Sequence, residues 1–147
     1  TKLHPCPLSA GLFACEGEPW FSVSLRRVLM GNVGFECIYA HPKNHSRLHI
    51  VYPTTSGGSA LTITGGIDDD GVNYPQGEEV IVTVSSGSRV LGSVVFENLP
   101  GLQEKTIAFS EPLPAHSPLV IEITSENQDT RHFCFRGWIH DSRPAAP

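Results

Sequence analysis

The sequence predicts an all-β fold, an antiparallel β-sandwich of about eight or nine strands stapled by disulfides. Three observations carry this prediction. Helix signals are almost missing, because 12 Pro and 14 Gly against a single Met leave no stretch where apolar residues recur at i, i+3, i+4 and i+7. Short segments rich in Val, Ile, Phe and Thr recur instead, separated by Gly, Pro and Asn. Four cysteines, Cys6, Cys15, Cys37 and Cys134, are even in number and none pair as CxxC, which speaks for disulfides and against redox or zinc-ribbon chemistry.

Candidate strands cover residues 20–29, 35–39, 48–52, 60–64, 79–85, 89–96, 105–109, 119–124 and 132–140. Turn residues separate them, at Met30-Gly31-Asn32, 52–59, 73–77, Ser86-Gly87, Leu99-Pro100-Gly101 and 112–118. In the first strand Phe21, Val23 and Leu25 are expected on a dry face and Ser22, Ser24 and Arg26 on a wet one. The last strand is heavy on both faces, with Cys134 and Trp138 on one and Phe133, Phe135 and Ile139 on the other. It is therefore expected at the centre of a sheet, with Trp138 packed against a disulfide and Gly137 marking a bulge or a close backbone approach. No internal repeat or linker divides the chain. Residues 1–147 read as one domain with a stapled N-terminal segment at 1–19 and a frayed tail at 143–147. Strand order does not follow from alternation, since several Greek-key arrangements satisfy it.

The expected pairing joins Cys6 to Cys15 in a small loop and Cys37 to Cys134 across most of the chain. Disulfides place the chain in a secreted or periplasmic setting; the competing reading is four reduced core thiols in a cytosolic protein. A net charge of −5, with no basic cluster beyond Arg26-Arg27, leaves no electrostatic footprint for nucleic acid. No apolar run approaches the roughly 18–20 residues of a membrane-spanning helix. The sequence-local signatures GxSxG, HExxH, GxxxxGK[ST] and GxGxxG are missing, so the expectation is a non-catalytic recognition domain.

Four groups of residues are candidates for function. Asp68, Asp69, Asp70 and Asn73 form the densest set of hard oxygen donors and suit calcium, although Gly71 follows Asp68 too soon for an EF-hand; a solvated acidic turn is the plainer reading. Trp20, at the start of a strand, and Tyr74, in the acidic turn, are the aromatics expected to stack on sugar faces. His41, His45 and His49 stand four apart and would suit Zn²⁺ or Cu²⁺, but Pro42 argues against the helix that would align them. Asn44-His45-Ser46 fits the glycosylation acceptor pattern of a glycoprotein. The leading expectation is carbohydrate binding, with calcium as the possible cofactor. Its alternatives are a His-ligated metalloprotein and a protein-interaction domain, an adhesin subunit or an inhibitor of a secreted enzyme, acting through residues 53–59 or the Cys6–Cys15 segment.

Overall fold

Two antiparallel sheets face each other in the computed structural model, which describes residues 3–74 and 76–141. The strands are β1 (Leu8–Ser9), β2 (Leu12–Cys15), β3 (Glu18–Met30), β4 (Val33–Ala40), β5 (Leu48–Tyr52), β6 (Gly58–Ile67), β7 (Val80–Ser86), β8 (Arg89–Phe96), β9 (Gln103–Leu113), β10 (Leu119–Thr124) and β11 (Phe133–His140). A single helical turn, α1 (Asp69–Val72), interrupts them. The large sheet has the order β1-β2-β3-β4-β11-β6-β9 and the small one β5-β10-β7-β8. The nine expected strands are all present. The two extra ones, β1 and β2, are short and lie in the N-terminal segment, where Gly and Pro mask any alternation. The proposed tail at 143–147 lies outside the described residues.

The core lies between the sheets. Phe21, Ile63, Ile67, Phe133 and Phe135 of the large sheet meet Val80, Val82, Val84, Phe96, Ile121 and Ile123 of the small one. These residues recur at every second position of β6, β7, β10 and β11, which is why period-two patterning located the strands correctly. The small sheet is narrower than the large one, four strands against seven, and away from Cys15 the strands at one edge of the large sheet leave Leu8, Phe13 and Leu29 exposed. Leu25 is consequently 83% exposed, although its spacing from Phe21 and Val23 predicts burial.

The β3–β4 hairpin turns at Gly31 and Asn32, both with positive φ (57° and 63°), the geometry of a two-residue type I′ turn. After only three pairs β4 leaves β11, and the hairpin bends over the outer surface of the large sheet. Its tip reaches the end of β6: a Cβ on Gly31 would lie 3.2 Å from Gly101 Cα, and one on Gly66 would lie 3.8 Å from Met30 Sδ. Met30, Phe35, Cys37 and Tyr39 are thereby buried against Cys134 in a second, smaller core. Arg136 lays its guanidinium over the Phe35 ring at 4.6 Å, between the hairpin and Trp138. Trp138 itself is 48% exposed rather than packed on the disulfide. Gly137 marks no bulge either, because β11 and β6 stay in register through it and an added Cβ would meet only ordinary contacts at 3.6 Å or more.

Both expected disulfides are present, Cys6–Cys15 and Cys37–Cys134, with sequence separations of 9 and 97. In the chain-entropy account the long bridge stabilises by about 4.7 kcal/mol and the short one by about 2.7 kcal/mol. Replacing both Cys37 and Cys134 by Ala should lower the unfolding free energy in urea markedly more than replacing Cys6 and Cys15. Equal losses in the two double variants would show that the long bridge constrains less of the unfolded chain than its span implies.

Candidate functional site

The outer surface of the large sheet carries a line of rings. Trp20 leads to His41 at 5.4 Å between centroids, His41 to His132 at 5.6 Å, and His132 to Tyr39 at 6.0 Å. Arg26 closes the line with its guanidinium 4.0 Å above the Tyr39 ring. Trp20 and Arg26 come from β3 and Tyr39 from β4, while His41 follows the last residue of β4 and His132 precedes the first of β11, where the ladder places the three strands side by side.

Two depressions flank the line. The first, about 200 Å³, is bounded by Trp20, His41, Gln128, Asp129 and Thr130. The second, about 460 Å³, runs between Arg26, Leu29 and Tyr39 on the hairpin and Asp69 and Asp70 at α1. In the first, Trp20 is 38% exposed, with the edge-on His41 ring behind it. Asp129 stands exposed at its rim and Thr130 is half-buried. Thr130 adopts φ of 52°, an uncommon conformation for a β-branched residue that its surroundings must enforce.

Arg131 does the enforcing. Its side chain is fully buried (0% exposed), yet every arm of the guanidinium is paired. Nη1 donates to Glu78 O at 2.8 Å and to Asn98 Oδ1 at 2.9 Å, Nη2 donates to Gly71 O at 2.9 Å, and Nε donates to Asp129 O at 3.1 Å. Burial pulls its pKa down from the usual arginine value, opposed by the carboxylates of Glu78, Asp68 and Asp129. Gly77 is needed nearby, since a Cβ there would lie 2.6 Å from Arg131 Nη2. The segment 126–131, α1 and the Asn98 turn are thus clamped to one group.

His41 is buried, and desolvation lowers its pKa from 6.5; the hydrogen bond to Pro42 O opposes this, while His132 and Arg131 reinforce it. A carbonyl only accepts, so Nδ1 carries the proton it donates to Pro42 O at 2.9 Å. Burial also pushes the Tyr39 phenol up, against the lowering influence of Arg26.

The structure gathers some of the predicted site residues and separates others. Trp20 and Tyr74 approach the same carboxylate: Trp20 shares the first depression with Asp129, and the Tyr74 hydroxyl is 3.5 Å from Asp129 Oδ2. The four calcium candidates do not converge. Asp68 caps α1, accepting from Gly71 N at 2.8 Å and from His132 Nδ1 at 3.0 Å. Asp69 accepts from Gly31 N at 2.6 Å and Asn32 N at 2.8 Å, Asn73 donates through Nδ2 to Asp69 O, and Asp70 faces solvent. His41, His45 and His49 diverge as well: His45 is exposed in a turn, and His49 Nε2 lies 2.8 Å from Glu122 Oε2 on β10. Among the described residues no group of three or more His, Cys, Asp or Glu side chains could hold a metal ion. Asn44 is half-buried, its N–H donating to Gln128 Oε1 at 3.1 Å and its Oδ1 buried without a partner. Gln128, Asp129, Thr130 and Arg131 were not singled out from the sequence, where they read as a polar loop before a strand.

No family model and no curated protein matches the chain. Solved structures do resemble it in fold. A structure of the CBM51-2 and INT domains of Clostridium perfringens ZmpB in complex with GlcNAc aligns with a TM-score of 0.52 at 14% identity, covering 76% of this chain and 24% of that one. A second structure of the same two domains aligns with a TM-score of 0.50 at the same identity and coverage. The chain thus spans about a quarter of the length of either. Its structural neighbours are carbohydrate-binding modules, similar to it in fold at low sequence identity.

Two outcomes follow from the clamp and the buried imidazole. Arg131→Met strands the Gly71 and Glu78 carbonyls and should cost about 3–5 kcal/mol in urea unfolding; a loss below about 1 kcal/mol would mean that water replaces the guanidinium readily. The folded-state pKa of His41 lies below 6.5, so the unfolded chain binds the extra proton, and stability complete above that pH is lost as the pH falls below it. His41→Gln should therefore flatten the stability profile below pH 6.5 by up to about 1.4 kcal/mol per pH unit relative to the parent. Parallel profiles for the two proteins would dismiss that contribution.

Proposed function

We propose that this chain is a non-catalytic extracellular glycan-binding domain, with the Trp20 depression as its sugar site. The observation that carries the reading is the exposed Trp20 indole, backed by His41, beside the Asp129 carboxylate on a segment clamped by Arg131. An indole face stacks on the C–H face of a pyranose, and a neighbouring carboxylate accepts from its hydroxyls. A rigid site loses little entropy when a ligand orders against it, which suits weakly bound sugars. The likeness in fold to carbohydrate-binding modules, one of them in complex with GlcNAc, supports the reading. Two disulfides support an extracellular setting. The proposed sugar site lies apart from the calcium candidates, of which Asp68 and Asp69 accept from N–H donors at α1 and at the hairpin tip.

A glycan array probed with the parent protein, followed by titration calorimetry of the mono- to trisaccharide hits, tests this. Trp20→Ala and Asp129→Ala should each weaken binding of those short glycans tenfold or more, a loss of about 1.4 kcal/mol or greater, while the melting temperature stays within a few degrees. Full binding by Trp20→Ala would overturn the site. Silence of the parent across the array would overturn the function and favour a protein partner instead, for which the exposed Leu8, Phe13, Leu25 and Leu29 offer the surface.

A further inference from the structure

Beyond the point where β4 departs from β11, the outer surface of β11, β6 and β9 exposes Arg136 and Trp138 on β11 and Glu104 and Thr106 on β9. Their register sets Arg136, Thr64 and Glu104 in one row and Trp138, Thr62 and Thr106 in the next, with His140 one position further along β11 on the same face. Trp138 stands in this grid 48% exposed, and among the described residues it meets no other aromatic ring. Beside it runs a hydroxyl chain: Thr62 Oγ1 lies 2.9 Å from Thr106 Oγ1 and 2.7 Å from His140 Nε2. Arg136 is held by the Phe35 ring beneath it and by the Glu36 carbonyl, to which its Nε donates. Thr64 donates to Glu104 Oε2 at 3.4 Å. The face is thus a polar grid of three strands with one exposed indole on its β11 side and the buried Thr62 at its middle, and its donors and acceptors are already fixed.

We propose that this face is a second glycan-binding platform, distinct from the Trp20 depression, and that it takes an extended, uncharged glycan chain. The indole offers a stacking plane, while Thr106, Glu104 and Arg136 exchange hydrogen bonds with the hydroxyls of sugars lying across the three strands, a width of roughly 10 Å. Arg136 and Glu104 occupy the same row, so their charges cancel and the face draws neither an anionic nor a cationic polymer. A protein partner would need apolar neighbours around the ring to exclude water, whereas the register flanks it with Arg136, His140, Thr62 and Thr64 and, of apolar side chains, only the small, buried Ala60. Trp138 stands six residues further along the chain than His132, the residue before β11, roughly 20 Å. The two sites are therefore separate, and one chain could engage both and gain avidity.

The sequence holds two Trp, so each site can be read alone by fluorescence. Trp20→Phe leaves Trp138 as the only indole, and this protein is titrated with neutral hexasaccharides of glucose, xylose, mannose and N-acetylglucosamine, and with hexagalacturonate as the anionic control. The expected result is a saturable blue shift and protection from acrylamide quenching with at least one neutral hexamer, absent with hexagalacturonate, and weakened about threefold by adding Thr106→Ala. Unmoved Trp138 emission with all four neutral hexamers overturns the proposal, as does an equal response to the anionic chain. Trp138→Phe, in which Trp20 is the sole reporter, reads the depression by itself, so failure of one site leaves the other reading standing or falling on its own data.

Discussion

A seven-stranded sheet facing a four-stranded one sets the terms for the rest of the molecule. The narrow sheet can dry only part of the wide one, so the strands at one side must find other cover or face water. The β3–β4 hairpin finds it by folding over the opposite surface, where Met30, Phe35, Cys37 and Tyr39 bury themselves against Cys134. The Cys37–Cys134 bridge ties the hairpin to the centre of the sheet at that place. Two Asp69 oxygens hold its tip by the amides of a turn whose positive φ values aim both N–H groups the same way. What the hairpin does not cover stays open, on one surface Leu25 and Leu29 and on the other Trp138 with its hydroxylated neighbours.

The ring-lined surface depends on a different kind of constraint. A guanidinium taken out of water costs several kcal/mol unless its donors are met. Arg131 meets them with the carbonyls of Glu78 and Gly71 and the Asn98 amide oxygen from other segments and with the Asp129 carbonyl of its own, so it specifies where each of those segments runs. Thr130 keeps its left-handed conformation and Asp129 its place at the rim because the residue that follows them is anchored in this way. The acidic residues of α1 belong to the same frame. Asp68 and Asp69 work as a helix cap and a turn clasp, holding N–H donors at normal hydrogen-bond distances rather than turning their oxygens to a common centre.

Both proposed glycan surfaces use a Trp on the outer surface of the wide sheet, but they differ in shape. Trp20 sits in a small concavity with a loop at its rim, which suits the end of a glycan. Trp138 lies on a plane of three strands, which suits the length of one. A sandwich of this kind has only its exterior to offer a ligand, because its interior is filled by two interlocked apolar faces.

The all-β class, nine of the eleven strands and both disulfide pairings were legible in the sequence, because alternation, turn residues and cysteine number are local signals read without knowing what packs on what. Trp20 and Tyr74 were legible as aromatics beside turns, but their shared neighbour Asp129 was not, since a polar loop carries no mark of where it folds back. Arg131 reads as one more surface arginine, and only the convergence of four segments shows it buried. Leu25 and Trp138 follow the same alternation as their buried neighbours yet stay exposed, because period two assigns a side chain to a face and cannot say whether anything covers that face. The sequence by itself determined which residues alternate, turn and cross-link. The widths of the two sheets, the path of the hairpin and the residues that share a surface were decided only in the tertiary structure, because they rest on contacts between segments as much as 100 residues apart.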